Sequence, residues 1–289
     1  MSNKHRRVLS LLGTLLAVVG MVFVGWRLVQ YSNELDLSRI TPWQWVLVLL
    51  LSVLYGVGSL LLAVAWWQLL DFFGVRFCPL RTIRIYGVSQ LAKYVPGNVF
   101  QFAGRQALGM SNGIPAGPLA KSMLLELILI ALAGLLFGYL VLPAWLPILS
   151  GAESVGLLIV TAAAMAVSLY RQWAKSVAWA FLALVLFLWL SAAVFAILLD
   201  MVHDPPSQWL LMMGAFVLAW LAGFVTPGAP AGVGVREMVL LVLLEGQVAP
   251  GLLLLAVLLG RLVTVLGDVW FFLGALALPS HRKVVGHGV

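Results

Sequence analysis

Long apolar runs separated by short polar stretches dominate this chain. Six runs, at about 8–26, 43–70, 119–142, 153–170, 177–199 and 251–278, approach or exceed the roughly 20 apolar residues that carry a helix across a bilayer core. They predict six full transmembrane helices. Trp26, Trp43, Trp45, Trp145 and Trp173 fall near the expected ends, where indole rings favour the membrane–water interface.

Two further apolar segments, about 83–112 and 207–247, are interrupted. The first contains KYVPGNVFQFAGR (93–105) and the second FVTPGAPAGVGVRE (224–237). In each, Pro-Gly is followed by an Arg nine residues after the Pro: Pro96 to Arg105, and Pro227 to Arg236. Pro removes a backbone donor and Gly loosens the chain, so each pair predicts a broken helix.

The basic residues assign the sides. Lys4, Arg6 and Arg7 place the N-terminus in the cytoplasm, and Arg76, Arg81 and Arg84 place the connection after the second span there too. PAWLPILSGAES and MVHDPPSQ carry no Lys or Arg and belong outside; Arg171, Lys175 and the tail HRKVVGHGV belong inside. These sides agree only if both broken segments return to the side they left. The expected fold is therefore an all-α polytopic membrane protein. It has about six full spans and two re-entrant broken-helix hairpins, with both termini cytoplasmic.

The flanks of the two breaks also match. AVAWWQLLD (63–71) precedes the first and AVFAILLD (193–200) the second, both ending Leu-Leu-Asp at Asp71 and Asp200. One integral membrane domain, 1–289, thus divides into a span–hairpin–span unit at 43–142 and a second, inverted one at 177–278. Inverted repeats with interrupted helices mark transporter folds, with the site near the midplane at the repeat interface.

Composition agrees: 63% of residues are hydrophobic, 9% are charged and the mean hydropathy is +1.08. Any substrate is met in the membrane or at its surface. The net charge of +7 reflects cytoplasmic Lys and Arg, not nucleic-acid binding. KHRR followed by the run Val8–Trp26 reads as an uncleaved first span, because a signal peptide has a shorter core and a small-residue cleavage site. Lone Cys78 forms no internal disulfide, and His5, His203, His281 and His287 form no ligand set. No nucleotide P-loop or HExxH zinc motif occurs, so no cofactor or metal is expected. Gly134 and Gly138 form a GxxxG, expected to serve helix packing.

The candidate chemistry lies in the charges within the oil. Backbone at membrane depth faces protein or a water-filled cavity, never lipid. A half-helix starting after a break offers free amides and a positive dipole end, which bind phosphate and carboxylate. Arg105 and Arg236 add fixed positive charge there, and Arg grips phosphate bidentately. The implied ligand is an anion, a lipid phosphate above all. The competing reading is a structural ion pair, with Glu126 or Glu237 as the partner acid. Lys93 and Tyr94 either touch headgroups or anchor the hairpin at the water boundary. Arg261 and Asp268, seven residues apart on one helical face, read as a buried ion pair or a coupling site.

YGVSQLAKYVPGNVFQFAGR (86–105), the Glu126 helix and PGAPAGVGVRE (227–237) resemble the lysylphosphatidylglycerol synthetase transmembrane family. That family is the flippase-like membrane module of bacterial multiple peptide resistance factors, and the resemblance implies a stand-alone form, expected to be without the synthase domain. The resemblance covers about 10–278. It implies that Pro96, Gly97, Arg105, Glu126, Gly228, Gly234, Arg236 and Glu237 are signature positions. With Asn98, Lys93 and Tyr94 they form the candidate substrate-binding set. It further implies the bacterial inner membrane and translocation of an anionic or aminoacylated phospholipid or a lipid-linked envelope precursor. The alternative is a non-transporting accessory protein that binds a lipid-linked glycan or a glycosyltransferase. Expected partners are membrane lipids and a lipid-modifying enzyme or glycosyltransferase. A membrane transferase ranks last, because no nucleophile–base set is legible, and no enzymatic activity is expected.

Overall fold

The structure is a computed structural model describing residues 41–94, 100–146, 148–202, 208–226 and 234–278. The expected first span, 8–26, and both chain ends lie outside the described residues. Within them, the secondary structure is helical throughout. Helix α1 is Pro42–Phe72; α2, Pro79–Gln90, tightens into a 3-10 turn at Leu91–Tyr94; α3 is Phe100–Ser111. Helix α4, Ala116–Leu136, continues as a 3-10 turn to Leu140, and a single turn, α5, covers Leu142–Trp145. Helices α6, Gly151–Gln172, and α7, Lys175–Val202, follow, then α8, Trp209–Val225, α9, Val235–Leu243, and α10, Pro250–Ala277.

Five of these, α1, α4 with its 3-10 extension, α6, α7 and α10, are long and apolar enough to cross a membrane. The chain is a multi-pass α-helical membrane protein. Helix α1, with 31 residues, is about 46 Å long at 1.5 Å per residue, so it overshoots a ~30 Å hydrocarbon core and must tilt or protrude. Helices α2 and α3, with 12 residues each, reach only about 18 Å. Helix α8, with 17 residues, reaches about 25 Å, and α9, with 9, about 14 Å. None of these four is long enough to cross alone.

Local chemistry sets the ends. Pro42, Pro79 and Pro250 open α1, α2 and α10, where a missing N–H costs nothing. Ser150 caps α6 reciprocally: its Oγ accepts from the Glu153 N–H and the Glu153 carboxylate accepts from the Ser150 N–H at 2.7 Å. Gly74 and Gly113, with φ of 76° and 92°, close α1 and α3 in left-handed turns. There Val75 N–H reaches Leu70 O and Ile114 N–H reaches Gly109 O.

The bundle is centred on α1, which packs most extensively on α7 and α10, with α4 completing the central group. The helix pair α2/α3 lies against α1 and α10, with α3 also on α4. The pair α8/α9 lies against α7 and the α4 segment, with α9 also on α10. Each pair thus touches the span before it, the span after it and the closing span of the other half.

Glycines permit the tightest crossing. A Cβ built on Gly267 of α10 would sit 2.8 Å from Ser52 O and 3.1 Å from Gly56 N of α1. One built on Gly56 would sit 2.7 Å from Gly267 O. Backbone therefore meets backbone, and neither side can yield. Small residues let membrane helices approach this closely. The GxxxG pair is less even: Gly134 faces Leu221 and Val217 of α8, whereas nothing lies within 4 Å of a Cβ at Gly138.

Replacing Gly267 by Ala should cost about 1–3 kcal/mol through overpacking. Gly274→Ala, in the same helix with nothing within 4 Å, should be neutral or slightly stabilising. Thermal unfolding of both variants in detergent is the check, and equal melting would remove the crossing as a fixed contact.

Candidate functional site

Helix α2 is the polar element among the oil. Tyr86, Gln90, Lys93 and Tyr94 recur at spacings of four, seven and eight, so a single helical face carries them all. That face is turned inward. The Tyr86 hydroxyl donates to Glu126 Oε1 of α4 at 2.8 Å. Lys93 Nζ lies 2.6 Å from Asp268 Oδ2 of α10. The Tyr94 hydroxyl donates to the same oxygen, and Gln90 Nε2 donates to Asp268 Oδ1 at 3.4 Å. Asp268 is fully buried, and both its oxygens are engaged.

Arg105 of α3 is equally enclosed, with 2% exposure. Its guanidinium donates to Glu126 Oε2 at 2.5 Å. The Tyr86 ring covers it at 3.8 Å and the Trp66 ring at 5.2 Å, a cation–π enclosure for a planar cation. Trp66 is itself held by its indole N–H to Ser122 Oγ at 3.0 Å. Glu126 thus accepts from Arg105 on one oxygen and from Tyr86 on the other.

In the second half the polarity is reversed. Glu237 on α9 pairs with Arg261 on α10, where Arg105 on α3 pairs with Glu126 on α4. The other Glu237 oxygen accepts from Gly234 N–H at 2.7 Å. Gly234 holds φ of 86°, so the turn that starts α9 is shaped for glycine. Arg236, next to Glu237, makes no ion pair among the described residues. Its Nε is buried without a hydrogen-bond partner, and the guanidinium lies 5.9 Å from the Trp220 ring.

These groups surround a cavity of about 450 Å³, within the usual size of a ligand site. Lys93, Tyr94, Arg105, Glu126, Arg236 and Arg261 line it, with Tyr55, Tyr86, Gln90, Gln101, Ser191 and Thr264. The rest of the wall is apolar and aromatic. Phe195 stacks on Phe216 at 4.6 Å and Trp220 on Phe224 at 5.1 Å, and Leu62, Ile130 and Val257 fill in. The site can accept an anion beside a greasy group.

The structure brings most of the expected residues to this one place and sorts them differently. Arg105 takes Glu126, whereas Glu237 serves Arg261 and not its neighbour Arg236. Arg261 and Asp268 share a helical face but pair with different segments, α9 and the α2 turn. Lys93 and Tyr94 reach inward to Asp268 and line the cavity. Pro96, Gly97, Asn98 and Gly228 lie outside the described residues. Sequence reasoning passed over Tyr86, Gln90, Trp66 and Trp220. The polar spacing within YGVSQLAKY marked the first two; Trp66 and Trp220 carry no signal that separates them from other apolar positions.

Arg105→Ala would leave Glu126 buried without its cation, a loss of about 3–5 kcal/mol. Replacing the whole network (Arg105→Met, Glu126→Leu and Tyr86→Phe) should recover most of it, because no buried polar atom is stranded. Thermal unfolding in detergent distinguishes these, and equal loss in both would refute the network. Compared with known proteins, no family model matches the chain, and no curated protein or solved structure matches it.

Proposed function

We propose that this chain is a flippase-like transporter of the bacterial inner membrane. It passes the headgroup of an anionic or aminoacylated phospholipid, or of a lipid-linked envelope precursor, through the central cavity. The observation that carries this reading is one cavity holding both a guanidinium with no ion pair among the described residues, Arg236, and a long apolar wall. The cation replaces part of the hydration a phosphate leaves behind. The apolar wall suits the first carbons of the lipid chains. The chemistry is binding and passage, without bond making, and the route is passive or ion-coupled.

In this reading α2/α3 and α8/α9 are re-entrant hairpins that enter from opposite faces, and both chain ends are cytoplasmic. Their short lengths and their exchanged packing on α10 and α4 support this. So does the parallel order of span, helix pair and span in 43–142 and 177–278.

Two measurements test it. In proteoliposomes, folded wild type should move a fluorescent anionic lipid. Arg236→Ala removes a charge-assisted contact worth roughly 1.5–3 kcal/mol and should slow movement about 10- to 100-fold. Folded wild type that moves none of a broad lipid panel would instead favour a lipid-binding accessory protein. For topology, single cysteines at Gly117 and Glu245, both exposed, in a Cys78→Ser background should label from opposite faces, cytoplasmic and external respectively. Labelling from one face would sink the opposed hairpins.

A further inference from the structure

Among the described residues, three carboxylates meet four cations around the cavity, and every carboxylate oxygen already accepts from a cation or a polar group. Both oxygens of Glu126 are taken, by Arg105 and Tyr86. Both of Asp268 are taken, by Gln90 on one and by Lys93 and Tyr94 on the other. Both of Glu237 are taken, by Arg261 and Gly234 N–H. Arg105, Lys93 and Arg261 are thereby neutralised, and among the described residues Arg236 remains as the surplus charge. The uncharged polar groups of the wall include Ser191, whose buried Oγ has no partner, and Gln101.

We infer that the cavity selects a monoanionic phosphodiester whose remaining head is uncharged and hydroxyl-bearing, and disfavours heads that carry an ammonium. This rests on the transport reading and narrows its substrate class. A single phosphate charge matches a single free guanidinium. The hydroxyls of such a head find hydrogen-bonding side chains in Ser191 and Gln101. An ammonium must compete for carboxylate oxygens that already hold a cation or a polar donor, and it meets a wall whose described residues carry net positive charge. Charged groups mismatched in a low-dielectric site are costly, so this is discrimination by repulsion as well as by fit. The anion chemistry is shared by a lipid head and by a soluble phosphodiester.

Displacement of a labelled phosphatidylglycerol from the purified full chain in detergent tests this. Unlabelled phosphatidylglycerol, lysyl-phosphatidylglycerol and soluble glycerophosphoglycerol are the competitors. The expected result is displacement by lysyl-phosphatidylglycerol only at roughly 10-fold or higher concentration than by phosphatidylglycerol. Arg236→Gln should weaken phosphatidylglycerol about 10-fold and shrink that ratio, whereas Arg236→Lys should keep it. Equal or stronger displacement by the lysyl lipid would overturn the inference, as would an unchanged ratio in Arg236→Gln. Glycerophosphoglycerol competing as well as the lipid would support the anion selectivity and assign it to a soluble phosphodiester, sinking the lipid reading alone. Phosphatidylglycerol discrimination without translocation in vesicles would likewise leave the selectivity standing and remove transport.

Discussion

An ionised side chain in hydrocarbon costs several kcal/mol unless it is matched, and the interior of this protein is arranged by that requirement. Glu126, Asp268 and Glu237 are the matching groups. Each sits where a broken segment meets a full span, and each engages both oxygens. A buried pair of this kind adds little net stability over an apolar substitute, yet losing one partner is severe. Its effect is placement. Helices too short to cross the bilayer are held at fixed points on helices that do cross it.

The cavity follows from the same arrangement. Its polar wall holds Glu126 and the cations Lys93, Arg105, Arg236 and Arg261, and its apolar wall combines aromatic residues of α7 and α8 with Leu62, Ile130 and Val257. Among the described residues the acids are spent on Arg105, Lys93 and Arg261, and the guanidinium of Arg236 has no ion pair. The reversed polarity of the two short-helix–span pairs matters here. An Arg on α3 faces an acid on α4, whereas an acid on α9 faces an Arg on α10. The two halves therefore present different chemistry to one shared volume.

Much of this was legible in the sequence, and the reasons differ by level. Spans are set by length and hydropathy, so α1, α4 with its 3-10 extension, α6, α7 and α10 fall where the apolar runs predict, with ends one to three residues away. Arg105, Glu126, Arg236 and Arg261 are conspicuous as charges in oil, whereas the Pro-Gly pairs at 96–97 and 227–228 lie outside the described residues. Partnership was not legible. Arg105 and Glu126 are 21 residues apart, Glu237 and Arg261 are 24, and Tyr94 and Asp268 are 174. Which cation takes which acid is decided by how helices cross, and that depends on backbone approaches such as Gly56 on Gly267. Tyr86 shares a polar face with Gln90, Lys93 and Tyr94, but that spacing alone does not say which acid its hydroxyl meets.

Helix α10 carries two of the three matching contacts. Arg261 reaches α9 and Asp268 reaches the turn after α2, about 10 Å apart along the axis for seven residues of helix. At Gly267, beside Asp268, the same helix is pressed backbone to backbone on α1. Mechanically, α10 is a common shaft with one fixed bearing. A sliding or rotation of α10 loads both broken segments together, and a pull on either segment is delivered to the other through rigid helix.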